Sequence, residues 1–186
     1  MLGARTALVI GVTGGIGAAL TSRLLDRGWR VRALHRRAGA AASRFAGLGP
    51  VDWVQGDAMD PAAVANAAAG TSLIVHAANP PGYRNWRGLA LPMLESTIAA
   101  AEASGARILF PGTIYNYGPD AFPVLREGSP QNPQTRKGAI RVEMERRLQQ
   151  ASCRGARVLI VRAGDFFGPH AGNSWFAQGL VKPGRP

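Results

Sequence analysis

The sequence has a single cysteine, Cys153. One thiol excludes an internal disulfide and suits a reducing compartment. Lysine is almost missing. Only Lys137 and Lys182 occur, so the excess of 22 basic over 11 acidic residues is nearly all arginine. Those arginines are scattered singly, and no basic run carries interleaved aromatics, which argues against a nucleic-acid partner. No apolar run reaches the roughly 20 residues of a membrane span, which argues against a membrane partner. The opening "MLGARTALVIGVTGGIGAAL" has the basic residue and apolar run of a signal peptide. Glycines interrupt that run and a helical pattern continues past it, so it reads as structure. A soluble, cytoplasmic chain is expected.

What is present is enough for one domain with a core: 186 residues, 46% of them apolar and 18% charged. Short β-type runs alternate with helical patterns. The runs are "TALVIG" (6–11), "RVRAL" (30–34), "VDWVQ" (51–55), "SLIVHAA" (72–78), "ARILF" (106–110) and "ARVLIVR" (156–162). Ile16, Leu20 and Leu24 recur at four-residue steps, which is helix spacing, and Gly28 stops that helix. Further helices are predicted over 61–69, opened by Pro61, over 86–104, closed by Gly105, and over 136–151. A Pro/Gly loop fills 111–135. Strands separated by helices imply crossover connections and a doubly wound parallel sheet, with predicted order 3-2-1-4-5-6. Ligands bind such sheets beyond the carboxyl ends of the strands.

Each strand end was therefore read for chemistry. After the first comes "GVTGGIG", with Gly11, Gly14 and Gly17 at three-residue spacing and a helix directly behind. Glycine permits a tight turn and close approach to a pyrophosphate, and the helix start offers free N–H groups. Gly11, Thr13, Gly14, Gly15, Ile16 and Gly17 are the cofactor-binding candidates here. A plain packing turn is the simpler alternative. The second strand ends in His35, Arg36 and Arg37, where a carboxylate would accept from ribose hydroxyls and repel a 2′-phosphate. Arginine suits a phosphate, so NADP is expected in preference to NAD; solvated loop arginines are the alternative. The net charge of +11 likewise favours a phosphorylated small ligand. After the third strand, Asp57 is placed to accept from an adenine amino group, and Asp60 to cap the helix that Pro61 opens. After the fourth come His76, Ala77, Ala78 and Asn79. The small alanines let a cofactor pass over the backbone, and His76 reads as a satisfied core histidine. After the fifth come Thr113, Tyr115 and Tyr117, as reactive groups or as loop packing.

One stretch resists this accounting. In "TRKGAIRVEME" (135–145), Lys137 and Arg141 share a helix face four residues apart, a mildly repulsive arrangement. A solvated face is the simplest explanation.

Taken together, "GVTGGIG", "GDAMD", "HAAN", "GTIYNYG" and "RAGDFFGP" resemble the extended short-chain dehydrogenase/reductases, the NAD(P)-dependent epimerase/dehydratase family. The likeness implies a three-layer Rossmann fold over residues 1–165 and the start of a substrate lobe, looking truncated, over 166–186. It also implies a small-molecule substrate and a homodimer formed by the helices at 86–104 and 136–151. Family members use a Ser or Thr, a Tyr and a Lys, the last two four apart on the helix after strand five. Thr113 matches the first; Lys137 falls on the Tyr position and Arg141 on the Lys position. The resemblance thus places the two cations at the nicotinamide and its ribose, Lys137 as proton donor, Arg141 as ribose ligand. It implies an oxidoreductase or epimerase/dehydratase-like enzyme acting on a small carbonyl, alcohol or sugar-linked substrate. The lost tyrosine keeps a second reading open, a non-catalytic NADP-binding module that reports redox state or binds a partner.

Overall fold

The structure is a computed structural model, and it describes residues 5–80 and 85–164. The substrate lobe expected over 166–186 lies outside the described residues. Six parallel strands form one sheet in the order β3-β2-β1-β4-β5-β6, as predicted. They are β1 (Thr6–Ile10), β2 (Arg30–His35), β3 (Val51–Gln55), β4 (Leu73–His76), β5 (Arg107–Thr113) and β6 (Arg157–Ala163). The helices are α1 (Gly15–Asp26), α2 (Ala38–Arg44), α3 (Pro61–Ala68), α4 (Trp86–Ser104) and α5 (Arg136–Cys153).

Two apolar layers fill the two faces of the sheet. On one, Leu8, Ile10, Ile74, Ile108 and Phe110 pack with Val64 of α3, Leu94 and Ile98 of α4, and Met144 and Leu148 of α5. On the other, Val9, Val31, Ala33 and Val75 meet Leu20, Leu24 and Leu25 of α1. The middle strands are buried on both faces, and so read as continuous apolar runs rather than alternating ones.

The helix ends follow local chemistry. The Gly28 N–H donates to the Leu25 carbonyl and the Trp29 N–H to that of Leu24, and Gly28 has φ +72°, a left-handed stop for α1. Asp60 caps α3, its Oδ1 accepting from the Ala62 N–H at 2.9 Å, with Pro61 in the first turn. Thr135 caps α5 through its hydroxyl, which accepts from the Gly138 N–H at 3.0 Å.

Two elements differ from the sequence-based expectation. α2 was not predicted, because "AGAAASR" carries no large apolar residue to set a period. Its burial rests on Ala38 and Ala41, and the Gln55 side chain anchors its start by accepting from the Ala38 N–H. β5 runs on through Pro111 and Gly112 to Thr113, where a loop was expected. Its pairing with β4 stops at Leu109, so beyond that point it has one neighbour, β6, and tolerates a proline.

Candidate functional site

The carboxyl ends of β1, β2, β3 and β4 are level. Ile10 stands beside both Leu34 and His76, and Leu34 beside Val54. The chain runs outward from β1 through β2 to β3, then returns to β4 on the other side of β1. The crevice of a doubly wound sheet opens at that reversal. The glycine turn lies in it. Gly11 has φ +91°, and a Cβ there would come within 2.5–2.6 Å of the Ala77 carbonyl and the Ala78 nitrogen. A Cβ on Gly17 would lie 2.1 Å from the Gly11 oxygen. At Gly14 the approach is only 3.4 Å. Gly11 and Gly17 are thus required by packing, whereas Gly14 serves the turn itself, its N–H donating to the Gly11 carbonyl at 3.1 Å. α1 then begins with no side-chain cap and no acid in its first turn. Its leading N–H groups and dipole suit an anion. This cradle fits a dinucleotide: tight turn, close backbone, uncapped helix. Thr13 and Gly15 are on the accessible rim, and Ile16 leads into the first turn of α1.

Beyond β2, Arg36 and Arg37 are exposed. Their backbone is fixed from below. The Arg37 N–H donates to His35 Nδ1 at 3.0 Å, and Gln55 Nε2 donates to the Arg36 carbonyl. Beyond β3, Asp57 Oδ1 accepts from the Met59 N–H at 2.9 Å, so one carboxylate oxygen is already used in the turn. Asn79, beyond β4, accepts from the Trp86 indole N–H at 3.0 Å and so anchors the start of α4.

The ends of β4 and β5 and the face of α5 form a second group. His76 is 1% exposed, and its Nδ1 lies 2.7 Å from Thr97 Oγ1. The Thr97 hydroxyl donates to the Met93 carbonyl at 3.1 Å, so the ring must donate through Nδ1. Nε2 is then an acceptor, buried and without a hydrogen-bond partner among the described residues. The core histidine is therefore only half satisfied. Burial, and the positive charge of Arg141, push its pKa down to about 3. Arg141 carries its guanidinium 5.2 Å from the Trp86 ring centre and 5.5 Å from that of Phe110. Thr113 ends β5, and its hydroxyl accepts from the Tyr115 N–H at 3.3 Å. α5 comes in tightly against this turn. A Cβ on Gly138 would meet the Tyr115 carbonyl oxygen at 2.3 Å and Pro133 at 2.5 Å. Lys137, one residue earlier and half-buried, is carried to the same corner. The structure thus sets the start of α5, at Gly138, against the turn after Thr113 and Arg141 against Phe110 of β5, with the glycine cradle two strands away.

Residues 7–181 match the NAD dependent epimerase/dehydratase family. The chain belongs to that family. Among solved structures, it is similar to the UDP-glucose 4-epimerase from Bifidobacterium longum, solved with NAD+ and UDP. That match has 20% identity and a TM-score of 0.70, and covers 84% of this chain and 52% of that one. The UDP-Glc/GlcNAc 4-epimerase from Campylobacter jejuni gives 20% identity and TM-score 0.74, over 85% and 53%. A short-chain dehydrogenase/reductase superfamily protein from Agrobacterium tumefaciens, with NAD bound, gives 23% and 0.68, over 85% and 48%. Likeness at this identity shows the shared fold. The chain spans about half the length of these proteins. No curated protein matches it. Among the described residues, no helix of this family member is long and apolar enough to cross a membrane.

Sequence reasoning missed three features of the site. It did not foresee the Trp86–Asn79 bond, nor that Arg141 would lie against two aromatic rings. It also passed over Glu145, which is four residues beyond Arg141 yet pairs with Arg162 of β6 instead. A signal was present: an acid among the core positions Met144 and Leu148 needs a cation, and β6 supplies one at its carboxyl end.

Proposed function

We propose that the chain is the NAD(P)-binding part of an epimerase/dehydratase-like oxidoreductase acting on a small carbonyl, an alcohol or a sugar-linked substrate. The observation that carries this reading is the cradle in which Gly11 presses on Ala77 and Ala78 and Gly17 on Gly11, opening on an uncapped helix. Gly11, Gly14 and the first turn of α1 would hold the pyrophosphate, Asp57 the adenine edge through its remaining oxygen, and Ala77 and Ala78 the passing backbone. A nicotinamide bound there would supply hydride transfer. Thr113 would then donate to or accept from a substrate oxygen. Lys137 would give a proton to that oxygen as charge develops on it. Arg141, set against Trp86 and Phe110, would keep a fixed positive charge near both. The UDP named with the Bifidobacterium longum epimerase makes nucleotide-linked sugars the first substrates to try.

Replacing Lys137 tests the assignment. In the protein with any missing lobe restored, Lys137→Met is expected to abolish turnover with cofactor affinity nearly unchanged, because its bond forms mainly in the transition state. Full turnover in that variant would move the proton to Tyr115, Tyr117 or water. Tight cofactor binding without turnover of any carbonyl or UDP-sugar in the unaltered chain would favour the second reading, a redox-reporting NADP module.

NADP is proposed over NAD on the strength of exposed Arg36 and Arg37 beyond β2. Changing both to alanine should weaken NADPH binding by about 1.5–3 kcal/mol for each charge-assisted bond lost. NADH binding should change little. Equal affinity of the unaltered chain for the two cofactors, measured by fluorescence titration, would show that neither arginine reads the 2′-phosphate. The homodimer on α4 and α5 belongs to this proposal too. The two helices already meet through the Arg147–Glu95 and Arg154–Glu102 ion pairs, at 2.7 and 2.8 Å.

A further inference from the structure

We propose that Glu145 and Arg162 are positioning residues, whose ion pair sets the place of Thr113 and of the α5 start that carries Lys137. The inference rests on the reading of that corner as the reactive one. The pair is bidentate, with both N–O distances 2.7 Å, and Glu145 is 5% exposed. The same Arg162 Nη1 also donates to the Thr113 carbonyl at 3.0 Å, tying the end of β5 to β6 and α5 at once. Its guanidinium lies 5.0 Å from the Tyr117 ring centre.

A relay extends from the carboxylate. Glu145 Oε2 accepts from Gln131 Nε2 at 3.0 Å, and Gln131 Oε1 accepts from Asn116 Nδ2 at 3.0 Å. A carboxylate can only accept, so it dictates which way both amides face. The direction carries a cost. Asn116 is fully buried, and the relay leaves its Oδ1 without a hydrogen-bond partner among the described residues. Pairing of every buried polar group is therefore not what fixes this arrangement. Nor is a buried ion pair a strong source of stability, since well-packed apolar residues do as well or better. What the pair supplies is a single arrangement of four separate pieces: the end of β5, the turn at 114–116, the loop at Gln131 and α5. Gly112 keeps the space open. A Cβ there would press on Ile160 at 2.9 Å and reach Glu145 Oε1 at 3.4 Å.

The test uses Glu145→Gln and Gln131→Met in the full chain, the second breaking only the relay at a half-buried position. Hydrogen exchange is followed by segment, and threonine methyl groups by NMR. Amide exchange over 113–118 and 136–139 should quicken about tenfold, the effect of one charge-assisted hydrogen bond. The Thr113 methyl signal should shift or broaden while those of Thr21 and Thr97 stay in place. Exchange in β1–β3 and NADH affinity should be unchanged. Exchange that rises evenly through the chain with lost urea stability would overturn the proposal, leaving the pair a general support. An unmoved Thr113 signal would overturn it too. Neither readout needs turnover, so an active Lys137→Met would remove the reactive role of the corner without touching this result.

Discussion

Gly11→Ala is expected to lose NAD(H) binding and a large part of the folding stability together. Two costs add. At φ +91° an alanine is strained, by about 1–3 kcal/mol. Its Cβ would also stand 2.5–2.6 Å from the backbone of Ala77 and Ala78, where no side chain can swing aside. The Ala77 N–H is bonded to the Ile10 carbonyl at 2.8 Å, so β4 cannot withdraw from β1 without breaking the sheet at its centre. Overpacking of this kind adds about 1–3 kcal/mol. Together, at about 2–6 kcal/mol, they take a large part of the roughly 5–15 kcal/mol that holds an ordinary domain folded. Gly28→Ala is the control. Its φ of +72° is also left-handed, but nothing lies within 4 Å of the added carbon. It should cost about 1 kcal/mol and leave the cofactor site intact. Urea midpoints and NADH fluorescence titrations on the two variants decide the matter. Equal behaviour of the pair would mean that β1 and β4 do not close over the turn as described.

The contrast explains why the glycine motif was so readable. Part of its spacing encodes contacts inside the turn itself, where Gly14 and Gly17 face the Gly11 oxygen, although Gly11 also meets Ala77 and Ala78 far along the chain. The strand order was readable for a similar reason, since alternation of strand and helix permits few parallel topologies. Other features depended on partners far away in sequence. "PG" at 111–112 reads as a turn, and becomes strand only because β6 pairs with it and β4 has ended. "AGAAASR" becomes a helix because Gln55, on another strand, secures its first N–H.

The two cations of α5 show the same limit. Sequence placed Lys137 and Arg141 on one face and posed the question of what they meet. For Arg141 the answer includes two aromatic rings from different elements, Trp86 and Phe110, neither near it in the chain. A guanidinium tolerates such surroundings better than an ammonium, being planar and weakly hydrated. That offers a physical reason for arginine where the family resemblance implies lysine. Next along the face is Glu145. It is spaced for an ordinary intrahelical pair with Arg141, but Arg162 holds it through two bonds.

Acid should unfold this chain earlier than its carboxylates alone would require, and His76 is the reason. Its ring is buried beside Arg141, and those two causes hold its pKa near 3, against 6.5 when unfolded. The neutral ring is the folded form. Above the unfolded value neither state is protonated, and the group is neutral in its effect. As pH falls below 6.5 the unfolded chain takes up a proton that the folded chain refuses, so stability declines until about pH 3. The slope approaches about 1.4 kcal/mol per pH unit, which amounts to about 2 kcal/mol between pH 6.5 and 4.5 and 4–5 kcal/mol over the whole window. Glu143 acts in the same direction but lower down. Hydrogen bonds from Arg146 and Arg147 bring its pKa to about 2, and the stability they give is lost as pH falls from about 4.5. The window from 6.5 to 4.5 therefore isolates the histidine. His76→Gln keeps a polar group for the Thr97 hydroxyl and cannot take up the proton. Urea unfolding at pH 6.5, 5.5 and 4.5 should show the unaltered chain losing about 2 kcal/mol more than the variant across the series. Parallel curves for the two chains would mean that His76 is charged, or reached by water, in the folded protein.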